Sequence, residues 1–493
     1  MAYRAQGGRQ RRVGLELERH LVFQENLSSY PSLSGPLTSA TPFDVQEIFH
    51  RLVGDGWRPT HDATTGVVTR IARDDWETLT SDVTSGIFET TIPPEPSIEA
   101  LQKHQEHLDR YLCSSLRERG LGLLSVETPL VTQPWEPSHY ALYHSYWRAE
   151  YATRRIRGEN HSWFAGTIGS SPSIDVAVSE AIPFLNVMLR LTGISLYLTR
   201  NGAVSGGKLS PGGRLSVRPW AIEKLWTDAY PDDAARCRMM GRDFIGWKDY
   251  LSSLFALPVV SVPDDQGRAI RIPDDPPLGT FWQSLDSRAV SGADAWGNRH
   301  TFTQADLRQL DAIQRQIVFS RLRWEFGESA DIGKFREALN SSEAELQEFL
   351  DSTLARLYLE VRSDSCSLPG EEFATAAMYL GLAENLAEAE RFVMSRPWSF
   401  WQAIFELSAT SPMEVAIDGE WLPDVIAQLL EISASGISRL TPGDRKFLDP
   451  LWVRVDNRVT PADQVRESFL AAGEGWPGCV AVAGLTNSHQ KFG

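Results

Sequence analysis

The chain has 493 residues, with 48 lysines and arginines against 64 aspartates and glutamates, a formal charge of −16. That balance argues against duplex DNA or an anionic membrane as the main partner, because both reward clustered positive charge. Hydrophobic residues at 42% and charged residues at 23% are ordinary for a folded protein and exclude wholesale disorder. Four widely spaced cysteines, Cys113, Cys237, Cys366 and Cys479, form no CxxC pair. They suggest free thiols rather than a zinc site or a disulfide framework. The basic N-terminus has no apolar stretch behind it, so it does not read as a signal peptide. The best apolar run, Phe184 to Leu198, contains Asn186 and Arg190 and falls short of the ~20 residues of a membrane span. The expectation is a soluble cytoplasmic protein.

Residues 1–12 read as a flexible arm, residues 13–470 as one domain and residues 471–493 as a tail. Val13 to Val22 alternates as a strand does, and 43–55 has helical spacing. Short strands are expected near 66–72 and 83–92, and a long amphipathic helix over 97–119. Residues 163–175 read as an interrupted strand, 178–200 as a helix, 202–213 as a loop and 259–273 as a hairpin. Beyond residue 300 the pattern is mostly helical. Ser342 with Glu345, and Thr303 with Asp306, form capping boxes, and Thr460-Pro461 opens a last helix. One strand, Leu357 to Arg362, interrupts these helices. Strands dispersed among helices without βαβ alternation predict an α+β fold.

Three of the strands carry acids. Glu16 and Glu18 lie two apart, so both point to one face while Leu15 and Leu17 point to the other. Side-by-side acids repel without a counter-charge; a solvated strand face remains open as the simpler reading. Glu89 sits in a β-prone run seven residues after Asp82. A bulge at Gly86 would aim both at one site; otherwise Asp82 is a loop or capping residue. Glu360 and Arg362 share a face of the third strand, with Leu359 and Val361 on the other. Magnesium prefers oxygen ligands and phosphates bridge it, so converging glutamates with an arginine among them suit a nucleotide–magnesium site.

These motifs, in order, resemble the glutamate–cysteine ligase family, closest to its plant-type branch. The resemblance runs through GLELER (14–19), SDVTSGIFETTIPP (81–94), GGRLSVRPWAIEKLWTD (212–228), GWKDYLSSLFALPV (246–259), LYLEVRSDS (357–365) and LDPLWVRVDNRVTPADQVRESF (448–469). It implies an antiparallel sheet curled into a half-open funnel with helices outside, related to the glutamine synthetase catalytic domain. It implies an ATP-dependent ligase joining an amino-acid carboxylate, the glutamate side chain in the typical member, to the amine of cysteine through an acyl phosphate, as in glutathione biosynthesis. Glu16, Glu18, Asp82, Glu89 and Glu360 would hold Mg2+, Arg362 would serve the ATP phosphates, and Arg218 would grip a substrate carboxylate or the acyl phosphate. Trp220 would line the substrate pocket or pack in the core. The partners implied are ATP and small amino acids, in a monomer or homodimer. Ser171 and Ser173 stand in a strand where some branches have histidine, and Ser85-Gly86 replaces a Gly-Gly pair. These departures open the same chemistry with another acid or amine in specialised metabolism. A non-catalytic binding subunit is the rival reading, against which the retained acids and Arg362 weigh.

Residues 202–209 nearly fit a P-loop, but Leu209 stands where a magnesium-holding Ser or Thr belongs. They read instead as a loop or lid, with Lys208 a candidate phosphate contact. His139 and His144 lack a third ligand and read as packing or surface residues. Cys366, close after the third strand, reads as a small buried residue or as a reactive thiol. The 16 tryptophans are scattered, without a basic groove to make them a stacking platform.

Overall fold

The computed structural model describes residues 10–29, 45–62, 66–73, 77–81, 86–132, 166–219, 241–259, 261–294, 296–314 and 319–487. Its centre is an antiparallel sheet of nine strands. They are β1 (Val13–Phe23), β2 (Arg58–His61), β3 (Val68–Arg73), β4 (Glu77–Ser81), β5 (Ile87–Glu95), β6 (Leu121–Leu124), β7 (Ser170–Asp175), β8 (Arg321–Phe326) and β9 (Leu354–Glu360). The order is β8-β9-β7-β1-β5-β4-β3-β2, an open sheet whose two edges do not join. The long β1 pairs with β5 along one side, and on the other with β7 through residues 13–17 and with β6 through residues 20–23.

The two-residue alternation seen in the sequence decides which face is buried. Leu15, Leu17, Phe88, Ile92, Ile174, Leu357, Leu359 and Val361 are all buried on one face. Helices α1 (Val45–Gly54), α2 (Ile98–Arg117), α3 (Val178–Arg190) and α5 (Ala374–Glu384) pack against the sheet. α4 (Thr192–Thr199) follows α3 after a bend of 56° at Leu191. This pair contains the apolar run noted above and lies in the core, and among the described residues no single helix is long and apolar enough to cross a membrane. The helical stretch over residues 374–394 likewise breaks in two at Asn385. α6 (Leu422–Leu440) lies so close to α5 that a Cβ on Gly436 would meet the Gly381 carbonyl oxygen.

Several expected starts are seen. Ser97 caps α2 by accepting from Ala100 N at 3.1 Å. Ser342 and Glu345 form their reciprocal box, and Thr460 with Asp463 opens α7 (Pro461–Ala471). Asp306 is itself the turn before a helix that starts at Leu307, accepting from Arg308 N at 2.8 Å, so that boundary lies three residues beyond the expected box.

Both ends depart from expectation where they are described. Arg11, placed in the arm, is 4% exposed and paired with Glu384 at 2.7 Å and Glu180 at 3.1 Å. The stretch from Gly473, expected to be loose, forms α8 (Gly475–Thr486), which buries Cys479, Val482 and Ala483 against α7 and its surroundings. Its small apolar residues lie all round the helix, so no amphipathic period announced it.

Two ionic contacts tie α2 to the sheet. Arg19, on the apolar face of β1, is matched by Asp109 of α2 at 2.7 Å, both nearly inaccessible. His104 of α2 reaches Glu95 of β5 at 3.0 Å and Glu77 of β4 at 3.4 Å. Hydrogen bonds to these two carboxylates raise the imidazole from 6.5 to about 9. Because the folded value is raised, the stabilisation is complete below pH 6.5 and is lost as pH rises through about 9. His104→Gln should therefore lower Tm by about 1–2 °C at pH 6, and the gap should close by pH 10. Thermal scans of both proteins at the two pH values check this; a gap independent of pH would show that the histidine is not charged here.

Candidate active site

The other face of the sheet is polar, and cross-strand register gathers the expected residues there. Glu16 lies between Ser171 of β7 and Thr91 of β5; Glu18 lies opposite Glu89 of β5. Ser173 lies between Gly14 of β1 and Glu360 of β9. Glu360 in turn lies opposite Arg321 of β8. Directly opposed residues point the same way. One surface therefore runs from arginines on β8, through Glu360 and two serines, to three glutamates on β1 and β5.

The charges are unequally satisfied. Glu360 is 1% exposed, and both its oxygens are engaged by guanidinium groups. Arg321 donates Nε at 3.0 Å and Nη2 at 2.9 Å, Arg323 donates Nη1 at 2.8 Å, and Arg362 donates Nη1 at 2.8 Å. Burial alone would raise Glu360, but the three arginines hold it well below the usual carboxylate range. Burial presses Arg321 down to about 10, which leaves it charged at neutral pH. Charge-assisted hydrogen bonds of this kind are worth about 1.5–3 kcal/mol each, so the cluster is rigid. Glu16 is the opposite case. Burial, together with repulsion from Glu360, raises it to about 7 despite the arginines.

Glu18 accepts from Gly169 N at 2.7 Å and lies 3.6 Å from Arg218 Nη1. Arg218 is 6% exposed, and its guanidinium packs on Gly169, where an added Cβ would stand 2.8 Å from Cζ. A side chain at 169 would thus push Arg218 away from Glu18.

The backbone carrying Arg218 is fixed by a residue the sequence reading passed over. Glu127 has no exposed surface and accepts from Ser216 Oγ at 2.9 Å, Arg218 N at 2.6 Å, Ser365 Oγ at 2.6 Å and Val217 N. Gly202 leaves room for this carboxylate; a Cβ there would lie 2.7 Å from Oε1. Glu127 thereby joins the Arg218 segment to the chain just after Arg362. Asp364, next to Ser365, is raised to about 7 by burial, and Tyr379 donates to it.

Not every candidate joins this surface. Lys208 is exposed in a short hairpin turned by Gly206 and Gly207, both at positive φ, and among the described residues its ammonium group has no hydrogen bond or ion pair. A hairpin there leaves no helix for a P-loop. Cys366 is buried, and burial raises its thiol well above the ordinary value, which disfavours the reactive thiolate. Asp82, Trp220, His139, His144 and Cys237 lie outside the described residues.

The donor set suits a hard cation in one particular manner. Among the described residues no three acid, histidine or cysteine side chains form a ready-made cage. Magnesium does not need one, since it is commonly held by one or two carboxylates plus phosphate oxygens and water. Glu18 opposite Glu89, with Glu16 one pleat away, supplies such carboxylates.

The fold is shared with a bifunctional glutathione synthetase. That protein, from Pasteurella multocida, superposes with a TM-score of 0.50 at 11% identity, over 98% of this chain and 52% of its own. The present chain thus spans about half the length of that enzyme. Glutamate–cysteine ligase of Francisella tularensis, solved with AMP, gives 0.47 at 12% identity, covering 98% and 89% of the two chains. The complex of the prokaryotic ubiquitin-like protein Pup with its ligase PafA gives 0.36 at 9% identity, covering 95% and 66%. No protein-family model matches the sequence, and no curated protein matches it.

Two arginines of this surface, Arg321 and Arg323, were also missed from sequence. Their signal was present: RLRWEF alternates as GLELER does, with Leu322 and Trp324 buried between the charges.

Proposed function

We propose that this protein is an ATP- and Mg2+-dependent ligase that joins a carboxylic acid to an amine, the acid being the side chain of glutamate and the amine that of cysteine. The observation that carries this is the polar sheet face, with arginines at one end, carboxylates at the other and Arg218 beside Glu18. The shared fold and the order of the sequence motifs support it. The sheet would curl into a half-open funnel with ATP inside, in the cytoplasm. Glu16, Glu18 and Glu89, with Asp82 from the preceding segment, would hold the magnesium. When bound, it would neutralise the charge of the ATP phosphates.

Phosphoryl transfer rests on positioning and electrostatics. The substrate carboxylate oxygen attacks the γ-phosphorus, the bond to the β,γ-bridging oxygen breaks, and ADP leaves. Arg362 faces the transferring group as a permanent planar cation. Arg218, immobilised through Glu127, grips the acid or the resulting acyl phosphate. The amine nitrogen then attacks the acyl carbon, phosphate departs, and the amine proton is lost to solvent. Ser171 and Ser173, between the two charged ends, favour a second reading in which the acid or amine differs from glutamate or cysteine.

Mg2+-dependent ADP release across a panel of acids and amines tests this. Release that requires glutamate plus cysteine supports the first reading, and release with another pair supports the second. A protein that binds no ATP and releases no ADP with any pair is not a ligase.

A further inference from the structure

We propose that Arg70, on β3, selects an amine substrate that carries a carboxylate, and pairs with that carboxylate while the amine attacks. The inference rests on the ligase reading and adds to it a specificity-determining residue and the class of the amine, an amino acid rather than a simple amine.

The register of the sheet puts Arg70 on the face that carries the acids. It lies opposite Thr80 of β4, Thr80 lies opposite Glu89 of β5, and Glu89 lies opposite Glu18 of β1. Directly opposed residues point the same way, so these four side chains form one row across four strands. The adjacent row, Ile71, Leu79, Thr90 and Leu17, is buried on the helix-covered face. The alternation thus fixes the side on which Arg70 stands. Thr78, two residues before Thr80, lies opposite Thr91 of β5. Hydroxyl groups rather than large apolar side chains therefore line the surface between Arg70 and the acids.

The charge of Arg70 is uncommitted. Arg321, Arg323 and Arg362 are tied to Glu360, and Arg218 stands 3.6 Å from Glu18. Arg70 is exposed, and among the described residues its guanidinium has no hydrogen bond or ion pair. Two strand spacings, roughly 10 Å, separate its backbone from that of Glu89. A long arginine side chain spans much of that distance and leaves room for one small ligand group.

Arg218 and Arg70 flank the acids from opposite sides. Arg218 packs on Gly169, whose backbone N–H donates to Glu18, beyond β1 from β5. Arg70 stands beyond β5 from β1. With the acid or its acyl phosphate held by Arg218, the amine approaches from the flank that Arg218 leaves open. A carboxylate brought to a surface bearing three glutamates is repelled unless a cation meets it. Arg70 supplies that cation on the open flank, and its planar fork takes both oxygens of a carboxylate at once. A simple amine gains nothing from it.

ADP release with glutamate as the acid, and cysteine or cysteamine as the amine, tests this, because cysteamine is cysteine without its carboxylate. Wild type should prefer cysteine in kcat/KM. Arg70→Gln should raise KM for cysteine by roughly tenfold, the scale of one lost charge-assisted hydrogen bond. KM for cysteamine and for glutamate should move by less than about twofold. Arg70→Lys, which keeps the charge but not the fork, should lose less. The Arg70 side chain is exposed and makes no contact that the fold needs, so the variants should fold, and circular dichroism checks this. If the panel of amines selects a substrate other than cysteine, that substrate and its decarboxylated counterpart take the same places. The proposal is overturned if the preferred amine carries no carboxylate or if wild type uses cysteamine as well as cysteine. It is equally overturned if Arg70→Gln leaves KM for cysteine unchanged, raises KM for both amines alike, or raises KM for glutamate instead. Each of these results leaves the ligase reading standing. No ADP release with any acid–amine pair overturns the ligase reading and this proposal together.

Discussion

Replacing Arg362 with alanine should lower Mg2+-dependent ADP release by roughly three orders of magnitude, the scale on which an arginine stabilises a transferring phosphoryl group. The loss should fall mainly on kcat, because the charge it answers develops in the transition state. The fold should survive. Glu360 keeps three hydrogen bonds, two from Arg321 and one from Arg323, and Arg362 is not wholly buried. Steady-state ADP release and circular dichroism of the purified variant check both halves. Near-normal turnover would remove Arg362 from the chemistry; an unfolded variant would make its role structural.

Glu127→Ala should have the largest effect on stability. The change removes the acceptor for two serine hydroxyls and two backbone N–H groups in a place water does not reach. Losing a buried, multiply bonded carboxylate is expected to cost about 3–5 kcal/mol, read as a fall in the urea midpoint. Glu127→Gln, which keeps one carbonyl acceptor, should lose less. It should still raise KM for the acid substrate more than it lowers kcat, because Arg218 is positioned through this residue. A purely structural Glu127 would leave KM unmoved in the glutamine variant.

The acids on β1, β5 and β9 were legible because each alternates with leucine, isoleucine, phenylalanine or valine. The apolar partners announce a buried face, and the charges must then share the other. Arg321 and Arg323 carried the same alternation, but the acid that follows them in the strand, Glu325, pairs with Arg356, and their own partner is 39 and 37 residues away. Only strand register reveals the match. Glu127 carried no pattern at all. It follows β6 in irregular chain, and its donors come from residues 216–218 and 365. Helix boundaries failed for a local reason: Leu191 and Asn385 interrupt apolar runs whose composition is continuous. At α8, uniform small apolar residues hid a helix that tertiary packing secures.

That last helix bears on how the protein must be made. Thr486 accepts from Ser125 N at 2.9 Å, and Cys479 Sγ donates to the Leu130 carbonyl oxygen at 3.4 Å, on either side of Glu127. The segment that steadies Arg218 is thus itself braced by residues more than 300 positions downstream. A nascent chain can pair β1 with β5 early, but the Glu127 segment keeps open backbone groups until synthesis has passed residue 487. Ribosome-bound intermediates would hold the acids in place long before Arg218 is fixed, so the polar sheet face should be completed late and all at once.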